Sequence, residues 1–144
     1  MTLNLFKVND NIWRSGQPLS QDWAELHALG IRKILKLNEM SVGSDHECVA
    51  FGMTLYVETI GDQASQVEID PAILLPIDAR LVEPGPWLVH CAEGKDRTGI
   101  AIARFRVMQD GWTKEAAYDE WVRYGSHRYR GLEDAWRDWV PPTP

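Results

Sequence analysis

The sequence has little cysteine, no long apolar run and no excess of positive charge. Its two cysteines, Cys48 and Cys91, are too few for a disulfide framework and favour a reducing compartment such as the cytoplasm. No stretch approaches the roughly 20 apolar residues of a membrane span, and residues 4–10 lack the basic and apolar parts of a signal peptide. A formal net charge of −6 argues against nonspecific nucleic-acid binding. These absences predict a soluble, cytoplasmic protein without a nucleic-acid partner or stable membrane insertion.

What is present is typical of one globular domain. The chain has 144 residues, of which 44% are hydrophobic and 25% are charged. A chain of this length buries roughly two thirds of its unfolded surface, which is enough for a sizeable core. No repeat or low-complexity segment precedes the Pro-Pro-Thr-Pro tail. We therefore expect a single domain over residues 1–144.

Apolar periodicity and turn residues predict short strands that alternate with helices. The expected strands cover residues 5–8, 12–14, 33–37, 54–57 and 87–89. The expected helices cover residues 20–30, 45–51, 70–81, 98–109, 113–124 and 132–140. Alternation of this kind predicts an α/β fold with a mainly parallel central sheet and helices on both faces.

Several of these helices carry testable details. The helix over 20–30 is expected to be capped by Ser20, to end at Gly30 and to bury Leu29 on the same face as Trp23 and Leu26. The helix over 70–81 is expected to be capped by Asp70, with Pro71 in its first turn, and to be kinked or divided at Pro76.

The most specific segment is residues 90–99, His-Cys-Ala-Glu-Gly-Lys-Asp-Arg-Thr-Gly, which we call the cradle. It lies between the expected strand over 87–89 and the next expected helix. A cysteine six positions before an arginine in such a loop can place a thiolate, a guanidinium group and backbone N–H groups around one tetrahedral anion. The segment therefore predicts a phosphate site with a nucleophile.

Each residue type in the cradle suits that chemistry. The thiolate is the nucleophilic form of cysteine, and a helix N-terminus beside a cation favours it at Cys91. Arg97 offers a planar, permanently charged fork for two phosphate oxygens. Gly94 allows the loop to curl, and Gly99 lets the helix approach the strand. The hydroxyl of Thr98 can donate a hydrogen bond to the sulfur.

Residues 90–98 fit the His-Cys-x5-Arg-Ser/Thr signature, so the sequence resembles the cysteine-dependent protein tyrosine phosphatases. The wider chain is similar to the small dual-specificity branch, especially its bacterial and atypical members, in which segments like 13–18 and 34–38 recur. The resemblance implies that Cys91 takes up the phosphoryl group as a cysteinyl phosphate. An aspartic acid then protonates the leaving oxygen, and water releases phosphate without a metal or other cofactor.

The resemblance also implies which residues of the cradle bind substrate and which support it. His90 is expected to fix the loop. The expected substrate-binding residues are Ala92, Glu93, Gly94, Lys95, Asp96 and Thr98. Two of them, Glu93 and Asp96, depart from the commonest pattern because they bring acidic side chains to a site for a dianion. We expect both to face outward or to be paired.

Asp62 is the expected general acid. It follows the predicted strand over 54–57 inside a polar stretch, and its distance ahead of Cys91 resembles that of the acid in the family. Proton transfer from such a group contributes about 10²- to 10⁴-fold to a rate. Glu58 and Asp96 remain alternatives.

Other features leave the substrate open. Lys95 resembles a lysine of phosphoinositide and inositol phosphate phosphatases, and the basic, aromatic stretch over 123–130, with Arg128, can bind a second phosphate or form an ordinary solvated turn. The substrate is accordingly a phosphorylated protein or a small polyanionic phosphate. A phosphate-binding module without turnover is a further alternative.

Two other motifs do not fit the cradle, and Cys48 has two interpretations. A nucleotide P-loop would need glycine where Val89 stands and Ser or Thr where Asp96 stands. Adjacent His90 and Cys91 without other closely spaced ligands argue against zinc. Cys48 is either a resolving partner for an oxidised Cys91 or, as is commoner for such a cysteine, a small buried apolar residue.

Overall fold

Strands and helices alternate along the chain in the computed structural model, which describes residues 3–61 and 67–143. The strands are β1 (Phe6–Asn9), β2 (Ile12–Ser15), β3 (Lys33–Lys36), β4 (Thr54–Val57) and β5 (Trp87–His90). The α-helices are α1 (Trp23–Ala28), α2 (Leu75–Leu81), α3 (Arg97–Met108), α4 (Lys114–Arg123) and α5 (Arg130–Asp138). Short 3₁₀ helices span Ser20–Asp22, Asp45–Phe51 and Pro71–Leu74.

The described strands form one sheet in the order β1-β2-β5-β3-β4. Only the pair of β1 and β2 is antiparallel; β2, β5, β3 and β4 run parallel to one another. The carboxyl ends of these four strands therefore share one edge, which is where open α/β sheets place their ligand sites. The central strand β5 ends at His90, so Cys91 leaves the sheet at the middle of that edge.

Side chains alternate between the two faces of the sheet, and each face is covered. In β5, Val89 packs into a larger core with α2, α3, α4 and α5, whereas Leu88 packs into a smaller core with α1 and the 3₁₀ segment Asp45–Phe51. In β3, Leu35 and Ile34 divide in the same way. This period of two is that of a strand buried on both sides. The predicted mainly parallel sheet with helices on both faces is confirmed.

The predicted helix over 20–30 is partly wrong. Its first turn is the 3₁₀ helix Ser20–Asp22, and Ser20 does not cap it; the Ser20 hydroxyl instead donates to the Glu47 carboxylate at 2.6 Å. The α-helix ends at Ala28, so Leu29 is 47% exposed rather than buried with Trp23. Ser20 therefore pairs with a residue 27 positions away and does not cap the helix.

The helix signals around Pro76 are confirmed. The segment divides into the 3₁₀ helix Pro71–Leu74 and the helix α2. Asp70 accepts a hydrogen bond from the Ala72 amide at 2.9 Å, as a cap does. Pro76 lies in the first turn of α2, where its missing N–H is not needed.

The remaining helices agree with the sequence in position. Thr113 caps α4 by accepting from the Ala116 amide at 3.1 Å. The last helix begins at Arg130 and ends at Asp138, two residues earlier at each end than expected. Within the described chain, no helix has both the length and the apolar character that a bilayer span requires.

Candidate active site

The cradle connects β5 to α3, and its backbone carbonyl groups point away from the interior of the loop. The six carbonyl oxygens of residues 91–96 each accept a hydrogen bond from outside the curl. The donors, in that order, are His90 Nδ1 (3.1 Å), the Gln17 amide (2.9 Å), Asn4 Nδ2 (3.0 Å), the Arg14 guanidinium group (3.0 Å), the Trp121 indole N–H (2.9 Å) and the Ile100 amide (3.0 Å).

Outward carbonyl groups leave the N–H groups directed inward. Across a trans peptide, the C=O of one residue and the N–H of the next point in opposite directions, so the N–H groups of residues 92–97 converge on the interior of the curl. Within the described part of the chain, no hydrogen bond uses the N–H groups of residues 92–96 as donors. Converging N–H groups at a helix N-terminus form an anion-binding nest. The cradle is thus shaped for a tetrahedral anion.

Both glycines of the cradle are required by close approaches. Gly94 has φ +77°, and a Cβ there would lie 2.5 Å from the carbonyl carbon of Ser15. A Cβ on Gly99 would lie 2.1 Å from the Trp121 ring. Glycine therefore permits the curl at Gly94, as the sequence predicted. At Gly99 the close neighbour is Trp121 on α4 and not the strand that the sequence predicted.

Cys91 and Thr98 both lie inside the protein at the base of the curl. Cys91 is 2% exposed and packs into the larger core, and Thr98 is fully buried in the first turn of α3. The Thr98 hydroxyl oxygen has no hydrogen-bond partner within the described residues. Because a buried hydroxyl without a partner costs free energy, this group is suited to a thiolate or to a bound phosphate oxygen.

Arg97 is held between two loops at the same edge of the sheet. Its Nη1 donates to the Ile60 carbonyl at 2.9 Å and lies 3.7 Å from Glu39 Oε1. Ile60 follows β4 and Glu39 follows β3, so the guanidinium group is oriented by the loops that leave both neighbouring strands. The side chain is 6% exposed.

Arg14 supports the cradle from beneath. It donates to the Gly94 carbonyl, and its guanidinium carbon lies 4.3 Å from the centre of the Tyr124 ring. Burial lowers the pKa of this guanidinium group, and the nearby Glu120 carboxylate and Tyr124 oppose that effect. A second arginine is therefore built into the wall of the cradle.

His90 joins the cradle to a buried ionic network. Its Nδ1 lies 3.1 Å from the Cys91 carbonyl, and its Nε2 lies 2.6 Å from Asp45 Oδ2. The other Asp45 oxygen accepts from Lys36 and from Gln17, each at 2.8 Å. The side chains of Lys36, Asp45 and His90 are all fully buried. His90 thus fixes the loop through its own carboxylate partner.

The Asp45 carboxyl is ionised in this network. Burial alone raises its pKa, but the hydrogen bond and charge of His90, with hydrogen bonds from Lys36 and Gln17, outweigh burial and hold the pKa at about 2. Because a carboxylate only accepts hydrogen bonds, the His90 Nε2–H donates to Asp45.

The two acidic residues of the cradle are placed as the sequence predicted. Asp96 is buried, and both of its oxygens are bound by His127, from the backbone N–H and from the ring Nδ1, each at 2.7 Å. Glu93 is exposed, with Oε2 3.6 Å from His127 Nε2. Asp96 is paired and Glu93 faces outward. Ala92 is exposed and Lys95 is half-buried.

Two of the candidate acids, Glu58 and Asp96, have different partners in the structure. Asp62 lies outside the described residues, but Ile60, two positions earlier, touches Arg97 through its carbonyl group. Glu58 lies 4.0 Å from Arg80 on α2. Both oxygens of Asp96 are already engaged by His127, which makes it the least available donor of the three.

The basic stretch over 123–130 forms the end of α4 and the turn before α5. Arg123 and Arg128 are exposed there. The turn lies against the cradle, because a Cβ on Gly125 would come within 3.1 Å of Lys95 Cδ. The structure therefore brings this stretch beside Lys95.

Cys48 lies on the other side of the sheet from Cys91. It belongs to the smaller core, whereas Cys91 belongs to the larger one. Burial raises the pKa of the Cys48 thiol to about 11. This placement fits a buried small residue and not a resolving partner.

Sequence reasoning missed several supports of the cradle. Lys36 lies between the apolar residues Leu35 and Leu37, and a charge in that position was a usable signal of a buried ion pair. Asp45 and His127 gave no comparable signal, because they lie 45 and 31 positions from the residues that they bind.

The sequence is similar to those of several known proteins. A model of the tyrosine phosphatase family matches residues 1–137. The dual specificity protein phosphatase TpbA of Pseudomonas aeruginosa is 30% identical over 141 residues, which cover 95% of this chain and 60% of TpbA. The inositol diphosphatase DSP2 of Oryza sativa is 27% identical over 143 residues, which cover 91% of this chain and 66% of DSP2.

A solved structure has the same fold. The core catalytic domain of the PP-IP phosphatase SIW14 from Saccharomyces cerevisiae, in complex with citrate, matches with a TM-score of 0.81 and 26% identity. The match covers 95% of this chain and 85% of that structure. The chain spans only 60% of the full length of TpbA and 66% of the full length of DSP2.

Proposed function

The chain belongs to the tyrosine phosphatase family, and we propose that it hydrolyses phosphate monoesters through a cysteinyl phosphate on Cys91. One observation carries this proposal. The carbonyl groups of residues 91–96 are all bound from outside, so the N–H groups converge around the space above a buried cysteine. Arg97 begins the helix that closes the same loop. Metaphosphate-like transition states are stabilised chiefly by such positioning and charge.

The first step transfers the phosphoryl group to sulfur. The Cys91 thiolate attacks phosphorus while the bond to the leaving oxygen breaks, and Asp62 gives that oxygen a proton. The inward N–H groups and the guanidinium group of Arg97 hold the three equatorial oxygens. His90 and Asp45 keep the Cys91 carbonyl turned outward.

The second step releases phosphate. Asp62, now ionised, takes a proton from water, and the water oxygen attacks phosphorus as the bond from phosphorus to sulfur breaks. The departing thiolate accepts a hydrogen bond from Thr98, whose buried hydroxyl has no other partner among the described residues. The proton that Asp62 gives to the leaving oxygen in the first step is thus recovered from water in the second, and Cys91 is again a thiolate.

Asp62 is proposed as the acid on the strength of its position in the sequence. It follows Ile60, which is buried and accepts a hydrogen bond from Arg97. The segment that precedes Asp62 is therefore fixed beside the cradle. The alternatives have other partners, since Glu58 lies by Arg80 and Asp96 is held by His127.

The proposed substrate is phosphotyrosine, and also phosphoserine or phosphothreonine, in a protein. TpbA is named as a dual specificity protein phosphatase, which supports this class. A second candidate is an inositol phosphate, because relatives are named inositol diphosphatases and the basic turn lies beside Lys95. The need for a free thiol at Cys91 favours a reducing compartment such as the cytoplasm for either substrate.

The serine variant of Cys91 tests the covalent reaction. Cys91→Ser is expected to reduce hydrolysis of phenyl phosphate to background and to leave binding of inorganic phosphate intact, because the N–H groups and Arg97 remain. Rates are followed by phenol release and binding by calorimetry. Cys48→Ala, which removes the cysteine of the other core, is the matched control and should keep its turnover.

The results separate the competing functions. Appreciable turnover by Cys91→Ser would exclude the covalent mechanism. A wild-type chain that binds phosphate but hydrolyses neither aryl phosphates, phosphopeptides nor inositol polyphosphates would instead be a binding module. Relative kcat/KM values on phosphopeptides and inositol polyphosphates choose between the two substrate classes.

An asparagine variant tests the proposed acid. Asp62→Asn is expected to lower kcat/KM by about 10²- to 10⁴-fold for phenyl phosphate, a poor leaving group, and far less for p-nitrophenyl phosphate. The reason is that an activated leaving group departs without a proton. An equal loss on both esters, or none, would assign the acid to Glu58 or Asp96.

A further inference from the structure

The cradle contains an acidic residue at the place where its helix begins. Asp96 is the N-cap residue of α3, directly before Arg97. Aspartate is among the best N-cap residues because its carboxylate accepts hydrogen bonds from the N–H groups of the first turn. The first N–H of that turn, at Arg97, is the last of the N–H groups of residues 92–97 that face the interior of the curl, so the helix N-terminus directly adjoins the phosphate site. A capping carboxylate would therefore bring a negative charge to the same positive end of the helix that a bound phosphate uses.

Asp96 does not cap its helix. Its side chain makes no capping hydrogen bond, and the carboxylate is turned to His127 instead. Oδ1 accepts from the His127 backbone N–H and Oδ2 faces the ring Nδ1, both at 2.7 Å. A carboxylate only accepts, so Nδ1 is the donor. Both oxygens are occupied at a distance from the first turn of α3.

The second acidic residue meets the same histidine. Glu93 Oε2 lies 3.6 Å from His127 Nε2, on the opposite side of the ring from Asp96. The side chains of Glu93 and His127 are 55% and 41% exposed, so this contact is weaker than the buried one. One imidazole thus stands between the two carboxylates of the cradle.

The turn that carries His127 is attached to the cradle at further points. Trp121 donates from its indole N–H to the Lys95 carbonyl at 2.9 Å. Gly125 lies against the side chain of Lys95, and the Tyr129 ring stacks on the His127 ring with centroids 5.2 Å apart. His127 is therefore held in place by contacts that do not involve either acid.

We infer that His127 is a positioning residue that keeps the Asp96 carboxylate away from the N-terminus of α3, so that the positive end of this helix faces phosphate without a competing carboxylate. The inference rests on the proposed function in one respect, that the cradle binds a phosphate group. His127 does not touch the reacting atoms. It acts through Asp96, by holding both carboxylate oxygens and by placing a polar ring beside Glu93.

A double-mutant cycle tests this role. His127→Ala frees Asp96 to cap α3, so the Kd for inorganic phosphate and the KM for phenyl phosphate are expected to rise roughly tenfold, the range of one N-cap interaction. The value of kcat should change less. Asp96→Ala in the His127→Ala background removes the competing carboxylate and should restore both constants to those of Asp96→Ala alone.

The same cycle has outcomes that overturn the inference. A purely structural role for His127 predicts that the double variant binds phosphate as poorly as His127→Ala, or worse. Unchanged phosphate affinity in His127→Ala would also refute it. His46→Ala, at an exposed histidine of the segment Asp45–Phe51, is the matched control and should leave both constants unchanged.

Two arms keep the test decisive. If His127→Ala does not fold, Asp96→Ala alone answers the question, because it must bind phosphate at least as tightly as the wild-type chain. Weaker binding overturns the inference. Calorimetry with inorganic phosphate needs no turnover, so a chain that binds phosphate but hydrolyses nothing would contradict the proposed function and leave the role of His127 standing.

Discussion

Asp45 is the residue on which the support of the cradle converges. It binds His90, Lys36 and Gln17 in a fully buried position, and His90 in turn binds the Cys91 carbonyl. A buried carboxylate surrounded by donors stabilises the fold only while it is ionised. Its protonation is therefore coupled to the stability of the site.

This coupling predicts how stability depends on pH. The pKa of Asp45 is about 2 in the folded chain and near 3.9 in an unfolded one, so its ionisation contributes about 2 kcal/mol above pH 4. That contribution is lost as the pH falls towards 2. The difference in free energy of unfolding between the wild-type chain and Asp45→Asn should therefore narrow by about 2 kcal/mol between pH 5 and pH 2.

Urea denaturation followed by tryptophan fluorescence measures this difference. Asp10→Asn, at a fully exposed carboxylate that lies 3.2 Å from Lys7 on the surface, serves as the control and should change stability little at any pH. If the difference in free energy of unfolding between wild type and Asp45→Asn stays constant between pH 5 and pH 2, the partners of Asp45 do not lower its pKa.

At the scale of elements, the junction of β5 and α3 makes the site. The strand ends at His90, the helix begins at Arg97, and the loop between them curls through Gly94 at φ +77°. Gly111 has almost the same backbone conformation, φ +74°, with nothing within 4 Å of an added Cβ. An alanine at either position would therefore be strained by the left-handed backbone, but only at Gly94 would its Cβ also clash with neighbouring atoms.

Alanine substitutions separate these effects. Gly111→Ala is expected to cost about 1 kcal/mol of stability, from its left-handed backbone alone, and to leave kcat/KM unchanged. Gly94→Ala adds a clash with the Ser15 backbone, so inward N–H groups move and kcat/KM should fall roughly 10²-fold. Thermal unfolding and phenyl phosphate kinetics are measured on both. If Gly94→Ala and Gly111→Ala had the same effect on kcat/KM, the interpretation of the cradle as preformed would be contradicted.

Local signals predicted some elements better than others. The strand Thr54–Val57, the cap Asp70 and the division at Pro76 followed from residues that act on their immediate neighbours. Ser20 failed as a cap because its hydroxyl is bound by Glu47, 27 positions away. Hydrogen bonds between distant segments override local preferences and are not visible in a sequence window.

The same distinction applies to the site. The composition of the cradle is local, so Cys91, Arg97 and the two glycines could be identified from the sequence. The residues that orient it come from elsewhere in the chain: Asn4, Arg14, Gln17, Asp45, Trp121 and His127. The fold, and not the motif, decides which groups reach the cradle.

Across the whole molecule, the central sheet separates two environments. Cys91 opens from the larger core at the carboxyl edge, beneath the nest of N–H groups, whereas Cys48 is enclosed in the smaller core on the other face. Burial raises the Cys48 pKa to about 11 and keeps that thiol protonated at neutral pH. Of the two cysteines, only Cys91 is placed to react with a phosphate ester.

Rapid acid quench of a single turnover, with mass spectrometry of the digested chain, tests the covalent mechanism most directly. Phenol should appear in a burst equal to the enzyme concentration, and one phosphoryl group should be found on the peptide that carries Cys91. Asp62→Asn should prolong the lifetime of that species, because the base that activates water is lost. Release of phenol and phosphate in step, with no phosphoryl group on Cys91 at any time, would contradict nucleophilic catalysis by this residue.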